Sequence, residues 1–522
     1  MITLKSFVNG RWQKGSGKPS VLVNPSTEEP VAETSTEGLD FAGAVRYARE
    51  VGGPSLRELT LGERAAMLKA MSKALGEHRD ELLDLAKEDG GNTKGDAKFD
   101  VDGATGTLAA YAHFGKGLGD ARLMLDGDSV PLSRDGDWVG RHVLAPKEGV
   151  AVLVNAFNFP AWGFGEKAAC ALLAGMPVIV KPATSTALVT WRMMEILDEA
   201  DVIPEGAVQL VAGSAGDLLN HLDERDVLAF TGSADTGLQL RSAPEILERN
   251  VTVNVEADSL NSAVLAPGVD PDSDLYRLFL KDVVREITQK TGQKCTAVRR
   301  ILVPADAVER VAADLTSELE QVVVGNTADS SVQMGPVTSA RQLRDTRAGI
   351  DALAAEGTLL LGGSEPMDGV GAPEGKGYFV RPTLVRFDDA RSAKVAHERE
   401  VFGPVSSILP YDGTPEEATE IVAMGRGSLV ASAYGDDPDW LERVVTGFAQ
   451  WNGRIYLGSS GVTDAAMGSG MVMPGLLHGG PGRAGNGAEL GGLSGLRLYQ
   501  RRTAVQGDPA VLDRILAGAA GG

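Results

Sequence analysis

The sequence predicts an α/β protein built on a doubly wound, mostly parallel sheet. Between residues 148 and 256, short continuous apolar runs alternate with stretches of helical periodicity, an alternation typical of parallel sheets. The runs lack a polar face, as expected of strands that are buried on both sides. The same pattern restarts near residue 262, and 522 residues are too many for one ordinary core, so a second α/β unit is expected.

The individual elements follow from the period of the apolar residues. Residues 5–37 predict hairpins, because turn sequences rich in Asn, Gly and Pro separate short apolar segments there. From 39 to 90, apolar residues recur every three or four positions, which indicates helices. The other predicted strands are 149–154, 177–180, 208–211, 227–230, 251–255, 298–303 and 404–409, and the other predicted helices are 163–174, 186–200, 214–223, 276–289 and 305–322.

Residues 457–492 have no clear period and are rich in glycine, which usually marks irregular backbone. Two interpretations of this segment stay open. It is either a surface loop or a loop of a substrate site.

The charge of the chain limits its partners. With 71 acidic and 50 basic residues, the formal net charge is −21, which disfavours nucleic acid and anionic membranes as partners. An anionic ligand must then be held by local cations, helix N-termini and backbone NH groups. The N-terminus does not resemble a signal peptide and no stretch of about 18 apolar residues occurs, so a cytoplasmic location without a membrane segment is expected.

The cysteines and histidines argue against a metal centre. Only Cys170 and Cys295 occur, which excludes a disulfide framework and a multi-thiolate site, and the six histidines form no HxxxH or HExxH pair. No metal is therefore expected. Cys170 lies in an apolar helical run and is expected in the core, whereas Cys295 has a polar setting in which Lys294 could favour the thiolate.

Polar groups follow four of the predicted strands. Asn158 follows the first strand, Lys181 ends the second, and Glu256 ends the last. Because the carboxyl ends of parallel strands meet at one edge of a sheet, these groups are expected to lie close together. Simpler alternatives stay open for two of these groups and for Cys295. Asn158 fits a turn before a proline, Glu256 could form an ordinary ion pair, and Cys295 could have a structural role.

Glycines and a serine follow the strand 227–230. Gly232, Ser233 and Gly237 open a predicted helix whose N-terminus can receive a pyrophosphate. The pattern differs from the common GxGxxG fingerprint, so taken alone it identifies a dinucleotide site only weakly.

Six motifs in order resemble those of the aldehyde dehydrogenase superfamily, and the resemblance runs from about residue 5 to 505. The motifs are Phe157-Asn158-Phe159-Pro160, Lys181-Pro182-Ala183-Thr184, Phe230-Thr231-Gly232-Ser233, Val255-Glu256, Gly292-Gln293-Lys294-Cys295 and Glu400-Val401-Phe402-Gly403-Pro404.

Within the superfamily the chain is similar to dehydrogenases of phenylacetate and benzoyl-CoA degradation. Three segments carry this likeness, namely 256–261, 478–485 and 499–507. It implies a CoA-thioester semialdehyde as substrate, either 3-oxo-5,6-dehydrosuberyl-CoA semialdehyde or 3,4-dehydroadipyl-CoA semialdehyde. Simple aliphatic or aromatic aldehydes stay open as alternatives.

The resemblance implies a role for each catalytic residue. Cys295 would attack the aldehyde carbon, the Asn158 amide would stabilise the oxyanion, and Glu256 would deprotonate water to release a free acid. A partly buried strand end would raise the pKa of Glu256 towards the working pH. Phe157, Trp162 and His478 are the candidate substrate contacts.

The resemblance also implies an NADP site, with NAD possible. Thr184 stands where NAD-preferring relatives often have a glutamate that would repel a 2′-phosphate, and Lys181 supplies a cation. The pyrophosphate turn would be formed by Gly232, Ser233 and Gly237, while Glu400 would hold the nicotinamide ribose and Phe402 would pack near the ring.

The predicted domains follow the same family pattern. A dinucleotide-binding domain is expected at 1–124 and 148–260, and a catalytic domain at 261–475. An oligomerisation element with the C-terminal Gly-rich segment is expected at 125–147 and 476–510. Strands near 125–147 and 493–506 would pair two copies, giving a homodimer or a dimer-based oligomer.

Two other classes of function remain as alternatives. The chain could be a non-catalytic scaffold for a separate enoyl-CoA hydratase-type partner, because the hydratase domain of some relatives is not expected in this chain. A thiol hydrolase is disfavoured, because no histidine lies among the strand-end residues.

Overall fold

The computed structural model describes residues 1–521 and contains 24 strands and 16 α-helices among them. The strands are β1 (Ile2–Leu4), β2 (Ser6–Val8), β3 (Arg11–Gln13), β4 (Ser20–Val23), β5 (Pro30–Thr34), β6 (Met124–Leu125), β7 (Val130–Pro131), β8 (Val139–Pro146), β9 (Ala151–Val154), β10 (Val178–Lys181), β11 (Val208–Leu210), β12 (Val227–Thr231), β13 (Thr252–Glu256), β14 (Asn261–Leu265), β15 (Val298–Pro304), β16 (Thr358–Leu361), β17 (Thr383–Arg386), β18 (Val405–Tyr411), β19 (Ser428–Tyr434), β20 (Asn452–Gly458), β21 (Leu477–Gly480), β22 (Gly487–Leu490), β23 (Gln500–Gly507) and β24 (Ala520–Gly521).

The helices connect and cover these strands. They are α1 (Phe41–Tyr47), α2 (Gly53–Glu58), α3 (Leu61–Glu77), α4 (Arg79–Gly90), α5 (Lys94–Lys116), α6 (Pro160–Ala174), α7 (Ala187–Glu199), α8 (Ala234–Ser242), α9 (Pro244–Glu248), α10 (Asp274–Thr288), α11 (Val308–Glu320), α12 (Ala340–Glu356), α13 (Lys394–Glu398), α14 (Pro415–Ala423), α15 (Pro438–Phe448) and α16 (Pro509–Ile515).

The first large sheet has the strand order β13-β12-β9-β10-β11-β2-β3. Its five strands from β13 to β11 are parallel, and the hairpin of β2 and β3 adds an antiparallel edge. Strand β9 is central, with β10 and β11 on one side and β12 and β13 on the other, so the winding reverses there. Such a reversal opens a ligand crevice at the carboxyl ends of the strands.

Alternating residues of β9 contribute to different hydrophobic cores. Leu153 packs with helices α3, α5 and α6 on one face of the sheet, whereas Val152 packs with α1 and its neighbours on the other. Both faces are therefore covered, which explains why the strand reads as a continuous apolar run.

The second large sheet, of order β16-β17-β18-β15-β14-β19-β20, is parallel except for the pair β16 and β17. Two smaller sheets bear on the site and on assembly. Strands β21 and β22 form a hairpin within the Gly-rich segment, and β23 pairs with β8 in a sheet that also contains β6 and β24, with β7 on the other side of β8. Among residues 1–521, no helix is long and apolar enough to cross a membrane.

The prediction of an α/β fold with a doubly wound sheet is confirmed. The predicted helix at 214–223 is wrong, because only a 3₁₀ turn at Leu218–His221 forms there. Gly213 and Gly216 have φ of 151° and 49°, which interrupts the helical backbone before it can begin. The division into three domains stays a prediction.

Candidate active site

A cavity lies at the carboxyl ends of β9, β12 and β13. Its lining includes Asn158, Trp162, Glu256, Cys295 and His478. All five were singled out in the sequence, and the fold gathers them from four distant parts of the chain. Because β13 and β12 run parallel in register, Glu256 lies directly beside Thr231 at this edge.

The loop that carries Asn158 is fixed on both sides. The carboxylate of Asp100 accepts a hydrogen bond from the backbone NH of Trp162 at 2.8 Å and thereby caps the start of α6. The hydroxyl of Thr186 donates to the carbonyl of Phe157 at 2.9 Å. The Asn158 side chain is buried against the cavity, so its amide is held where it can donate to a bound oxygen atom.

Cys295 follows α10 through a strained turn. Lys290, Thr291 and Gly292 have φ of 52°, 57° and 65°, in the left-handed region that residues other than glycine rarely adopt. The side chain of Asn261 donates to the carbonyl of Cys295 at 2.7 Å. The turn and this hydrogen bond fix the backbone of Cys295, whose side chain faces the cavity.

Lys294 does not activate the Cys295 thiol as the sequence suggested. Burial raises the pKa of the Cys295 thiol well above its usual value, and the charge of Glu256 adds to the shift. The ammonium of Lys294 is buried against the carboxylate of Glu286 at 2.7 Å. The prediction about Lys294 was wrong, because its charge is neutralised by Glu286.

His478 lies between the nucleophile candidate and the base candidate. Its Nε2 atom is 3.9 Å from Sγ of Cys295 and 3.6 Å from Oε1 of Glu256. The residue stands on β21, so part of the Gly-rich segment lines the site. The thiol hydrolase was disfavoured because no histidine lies among the strand-end residues, but the fold brings His478, which was predicted only as a substrate contact, next to Cys295. The sequence could not predict this contact, because 183 positions separate His478 from Cys295.

The predicted upward shift of the Glu256 pKa was also wrong. Burial acts to raise the pKa of this carboxyl, but the nearby imidazole of His478 and the charge of Lys167 outweigh it, so the pKa is lowered. Burial acts to lower the pKa of the His478 imidazole, and Glu256 outweighs that effect, so its pKa is raised. The two groups therefore form a buried ion pair that the sequence could not show.

A second buried charge cluster adjoins Glu256 and was missed in the sequence. The ammonium of Lys167, only 1% exposed, lies 2.9 Å from the carboxylate of Glu166 and 3.1 Å from that of Glu489. Burial raises the pKa of Glu489 to about 7, although Lys167 acts against the shift. One signal could have revealed the cluster, because Glu166 and Lys167 are the only charged residues in the otherwise apolar helix α6.

Lys181 and Thr184 follow β10, which pairs with β9 at the reversal of the strand order, where a dinucleotide is expected to bind. Lys181 ends β10, and burial lowers the pKa of its ammonium. Among the described residues no carboxylate forms an ion pair with it, so its charge remains available to a phosphate. Thr184 begins the turn that follows, with no carboxylate in its place.

Two glycines in and after the turn that follows β12 are required by close packing within the protein. A Cβ atom on Gly232 would lie 2.5 Å from the ring of Phe230, and one on Gly237 would lie 2.8 Å from Val255. Ser233 caps the nine-residue helix α8, with its hydroxyl accepting from the backbone NH of Thr236 at 3.3 Å. A helix N-terminus suits a pyrophosphate, although here the backbone NH of Ala234 already donates to the carboxylate of Asp258 at 2.8 Å.

Glu400 and Phe402 both adjoin the guanidinium of Arg299. A guanidinium nitrogen of Arg299 lies 3.5 Å from a carboxylate oxygen of Glu400, and the guanidinium carbon lies 5.4 Å from the centre of the Phe402 ring. Burial raises the pKa of Glu400 to about 8, with Arg299 opposing the shift. The Phe157 ring packs edge-on against Phe402 at 5.7 Å. Phe157 does not line the cavity, so this position does not support its predicted contact with the aldehyde.

A dinucleotide crevice beside a thiol and a buried carboxylate is the arrangement of an enzyme that oxidises aldehydes. The model of the aldehyde dehydrogenase family matches residues 12–505. The chain therefore belongs to the aldehyde dehydrogenase family.

Individual relatives agree with this assignment. The chain is 44% identical to 3,4-dehydroadipyl-CoA semialdehyde dehydrogenase of Aromatoleum evansii, over 92% of this chain and 93% of the relative. It is also similar to an aldehyde dehydrogenase of Bacillus cereus solved with NAD⁺, with 26% identity, a TM-score of 0.84 and 97% of each chain covered. The NAD⁺ complex of betaine aldehyde dehydrogenase from Staphylococcus aureus has a TM-score of 0.84 at 22% identity, covering 97% of this chain and 95% of that one, and shares the fold.

Proposed function

We propose that this chain oxidises a CoA-thioester semialdehyde to the free carboxylic acid, with NADP⁺ as electron acceptor. The observation that carries the proposal is the convergence of Cys295, Glu256 and Asn158 on one cavity beside the dinucleotide crevice. The substrate class is supported by the 44% identity to the CoA-semialdehyde dehydrogenase of Aromatoleum evansii.

The first step is attack by Cys295 on the aldehyde carbon. Because the thiol is protonated in its buried setting, it needs a base, and the carboxylate of Glu256 is the adjacent acceptor. As the carbon–sulfur bond forms, negative charge develops on the aldehyde oxygen. The Asn158 amide and the backbone NH of Cys295 donate to that oxygen, and each such donor is worth about 3–4 kcal/mol.

The second half of the reaction releases the acid. The dinucleotide supplies a two-electron acceptor when it is bound in the crevice. Oxidation leaves the acyl group on Cys295 as a thioester. Once Glu256 has passed on the proton that it took from the thiol, it takes a second proton from a water molecule that attacks the acyl carbon, and the thiolate of Cys295 leaves. The cluster of Glu166, Lys167 and Glu489 lies beside Glu256 and can carry the released proton away from it.

The choice of NADP⁺ over NAD⁺ rests on Thr184 and Lys181. A carboxylate at position 184 would repel a 2′-phosphate, whereas a threonine hydroxyl can donate a hydrogen bond to it. The Lys181 ammonium, at the end of the preceding strand, supplies positive charge. Among the described residues it has no competing ion pair.

Other functions fit less of the molecule. The Cys295–His478 contact alone would suit a thiol hydrolase, but a hydrolase has no use for the dinucleotide crevice. A purely structural scaffold would not need the buried Glu256–His478 pair, which costs desolvation free energy. Simple aldehydes fit the chemistry equally well, so the substrate must be decided by kinetics.

The experiment compares substrates with matched chemistry. We expect kcat/KM for 3,4-dehydroadipyl-CoA semialdehyde or 3-oxo-5,6-dehydrosuberyl-CoA semialdehyde to exceed that for hexanal and benzaldehyde by at least about 100-fold, because remote binding energy raises kcat/KM. The free acid should accumulate in step with NADPH, and Cys295→Ala should abolish both. Equal turnover of hexanal would contradict the substrate class, and retained activity in Cys295→Ala would contradict the mechanism.

A homodimer is the simplest assembly for this chain. Strand β23 is the exposed edge of its sheet, and Val130, Leu132 and Trp138 nearby are 46%, 46% and 48% exposed. Edge strands and apolar patches of this kind usually mark an interface. Light scattering after size exclusion should give at least twice the monomer mass of 54.6 kDa. A separate hydratase-type partner stays a prediction.

A further inference from the structure

Three donor atoms of different chemistry meet at the floor of the cavity. They are the Sγ atom of Cys295, the Nε2 atom of His478 and a carboxylate oxygen of Glu256, all within 4.8 Å of one another. The sulfur and nitrogen are 3.9 Å apart, and the nitrogen and oxygen are 3.6 Å apart. Each side chain comes from a different element of the fold, so the convergence follows from tertiary structure.

The spacing is close to that of a zinc site. Bond lengths of about 2.3 Å to sulfur and 2.0–2.2 Å to nitrogen or oxygen place tetrahedral ligands roughly 3.3–3.6 Å apart. The sulfur–nitrogen and nitrogen–oxygen distances need to shorten by only a few tenths of an ångström, and the sulfur–oxygen distance by about an ångström at most, for the three atoms to surround one cation. A set with one sulfur, one imidazole and one carboxylate suits Zn²⁺ and not Mg²⁺ or Ca²⁺, which prefer oxygen ligands.

Glu256 provides an independent sign that the site is incomplete. Its side chain is only 2% exposed, and its Oε1 atom lies 3.6 Å from Nε2 of His478, too far for a direct hydrogen bond, with no hydrogen-bond partner among the described residues. Buried carboxylate oxygens are normally satisfied, so this atom is a candidate ligand donor. The Oε1 atom of Glu256 faces His478, and the adjoining cavity leaves space for a water molecule as the fourth ligand.

The neighbouring acidic cluster does not offer a competing site. Oxygens of Glu166, Glu256 and Glu489 also lie within 4.8 Å of one another. However, the ammonium of Lys167 already contacts Glu166 and Glu489 and supplies the cation there. The candidate site is therefore confined to the three mixed donors.

We propose that Cys295, His478 and Glu256 bind a thiophilic divalent cation of the Zn²⁺ class, which reversibly switches off the dehydrogenase. The cation takes the place of the thiol proton and of any proton on the imidazole, and both protons pass to solvent without change of oxidation state. The bound sulfur can no longer attack a carbonyl carbon, and Glu256 can no longer accept a proton from water. The inhibition rests on the proposed function, whereas the binding does not.

The test uses Co²⁺ as a spectroscopic probe of the chelator-treated full-length enzyme. One equivalent of Co²⁺ should give a sulfur-to-cobalt charge-transfer band, and Zn²⁺ should abolish that band by displacement. His478→Phe should weaken Co²⁺ binding at least tenfold, and Cys295→Ser should remove the band. His78→Phe, which changes an exposed histidine far from the site in sequence, should bind as the unaltered protein does.

A second measurement does not depend on the folding of any variant. In the unaltered protein, Zn²⁺ should slow alkylation of Cys295 by iodoacetamide at least tenfold, as followed by peptide mass spectrometry, and a chelator should restore the rate. Absence of the charge-transfer band, or an alkylation rate that Zn²⁺ leaves unchanged, overturns the proposal. If the protein forms the band but oxidises no aldehyde, the metal site is supported and the proposed function is contradicted.

Discussion

The imidazole of His478 lies 3.6 Å from the carboxylate of Glu256, and both groups are almost completely buried. Strand β13 supplies one partner and the Gly-rich hairpin of β21 and β22 the other, so the pair fastens the hairpin to the first large sheet. The same imidazole contacts Cys295. Any account of the site must therefore treat the three side chains as one unit.

The buried pair predicts strong coupling between its two members. His478→Phe should lower the thermal unfolding midpoint, because it leaves Glu256 charged without its imidazole partner, and breaking a buried pair costs about 3–5 kcal/mol. The double variant His478→Phe with Glu256→Gln should lose less than the sum of the two single variants. Differential scanning calorimetry of all four proteins measures the coupling. Strictly additive losses would show that the two side chains do not interact.

Asn158 is predicted to act mainly on the transition state. Asn158→Ala removes one oxyanion donor and should reduce kcat by about 10²–10³-fold while KM for the aldehyde changes little. Steady-state kinetics provide the measurement. Asn155→Ala, which alters another amide lining the cavity, serves as the matched control and should reduce kcat much less. A large rise in KM with unchanged kcat would assign Asn158 to ground-state binding.

Cofactor preference should reverse with a single charge. Thr184→Glu places a carboxylate where the 2′-phosphate is expected and should lower kcat/KM for NADP⁺ relative to NAD⁺ by at least about tenfold. Thr184→Gln has a similar size without the charge and should keep most of the preference. The ratio of kcat/KM for the two dinucleotides in each protein is the measurement. An unchanged ratio in Thr184→Glu would place the 2′-phosphate elsewhere.

Glu400 should make dinucleotide binding depend on pH. Burial raises the pKa of this carboxyl to about 8, so it is largely protonated at pH 7 in the free protein. Hydrogen bonds from ribose hydroxyls favour the carboxylate, so binding should tighten as pH rises towards 8, by up to about tenfold per pH unit, and then level off. The measurement is a titration of the protein with NADP⁺, followed by protein fluorescence, between about pH 6.5 and 9, the range over which this carboxyl titrates. Glu400→Gln should flatten this part of the profile, and an identical profile in that variant would exclude Glu400 as its source.

Most of the fold was predictable because its strands are buried on both faces. The runs that became β9, β10, β12 and β13 are apolar throughout, and polar residues at their carboxyl ends located the site. The helix predicted at 214–223 failed because two glycines outweighed the local periodicity. Local sequence therefore predicts an element well where the burial and the period of its apolar residues agree. It predicts an element poorly where glycines determine the backbone conformation.

The electrostatics of the site could not be predicted in the same way. Lys294 is adjacent to Cys295 in sequence, yet its charge is paired with Glu286. Glu256 is buried as expected, but His478 and Lys167 reverse the shift of its pKa. Both errors have the same cause. The partners of a buried charge come from segments that are distant in sequence, and no local sequence pattern indicates that they will meet at the site. Only the lone charged pair within the apolar helix α6 gave a local sign of the Lys167 cluster.

We expect Cys295 to carry the acyl group and Glu256 to release it. In Glu256→Gln the second step should stop, so a single turnover should yield one burst of NADPH per active site. Peptide mass spectrometry of the quenched enzyme should then find the acyl group on Cys295 and none on the buried Cys170. Steady turnover by this variant, or a burst without an acyl group on Cys295, would contradict the account.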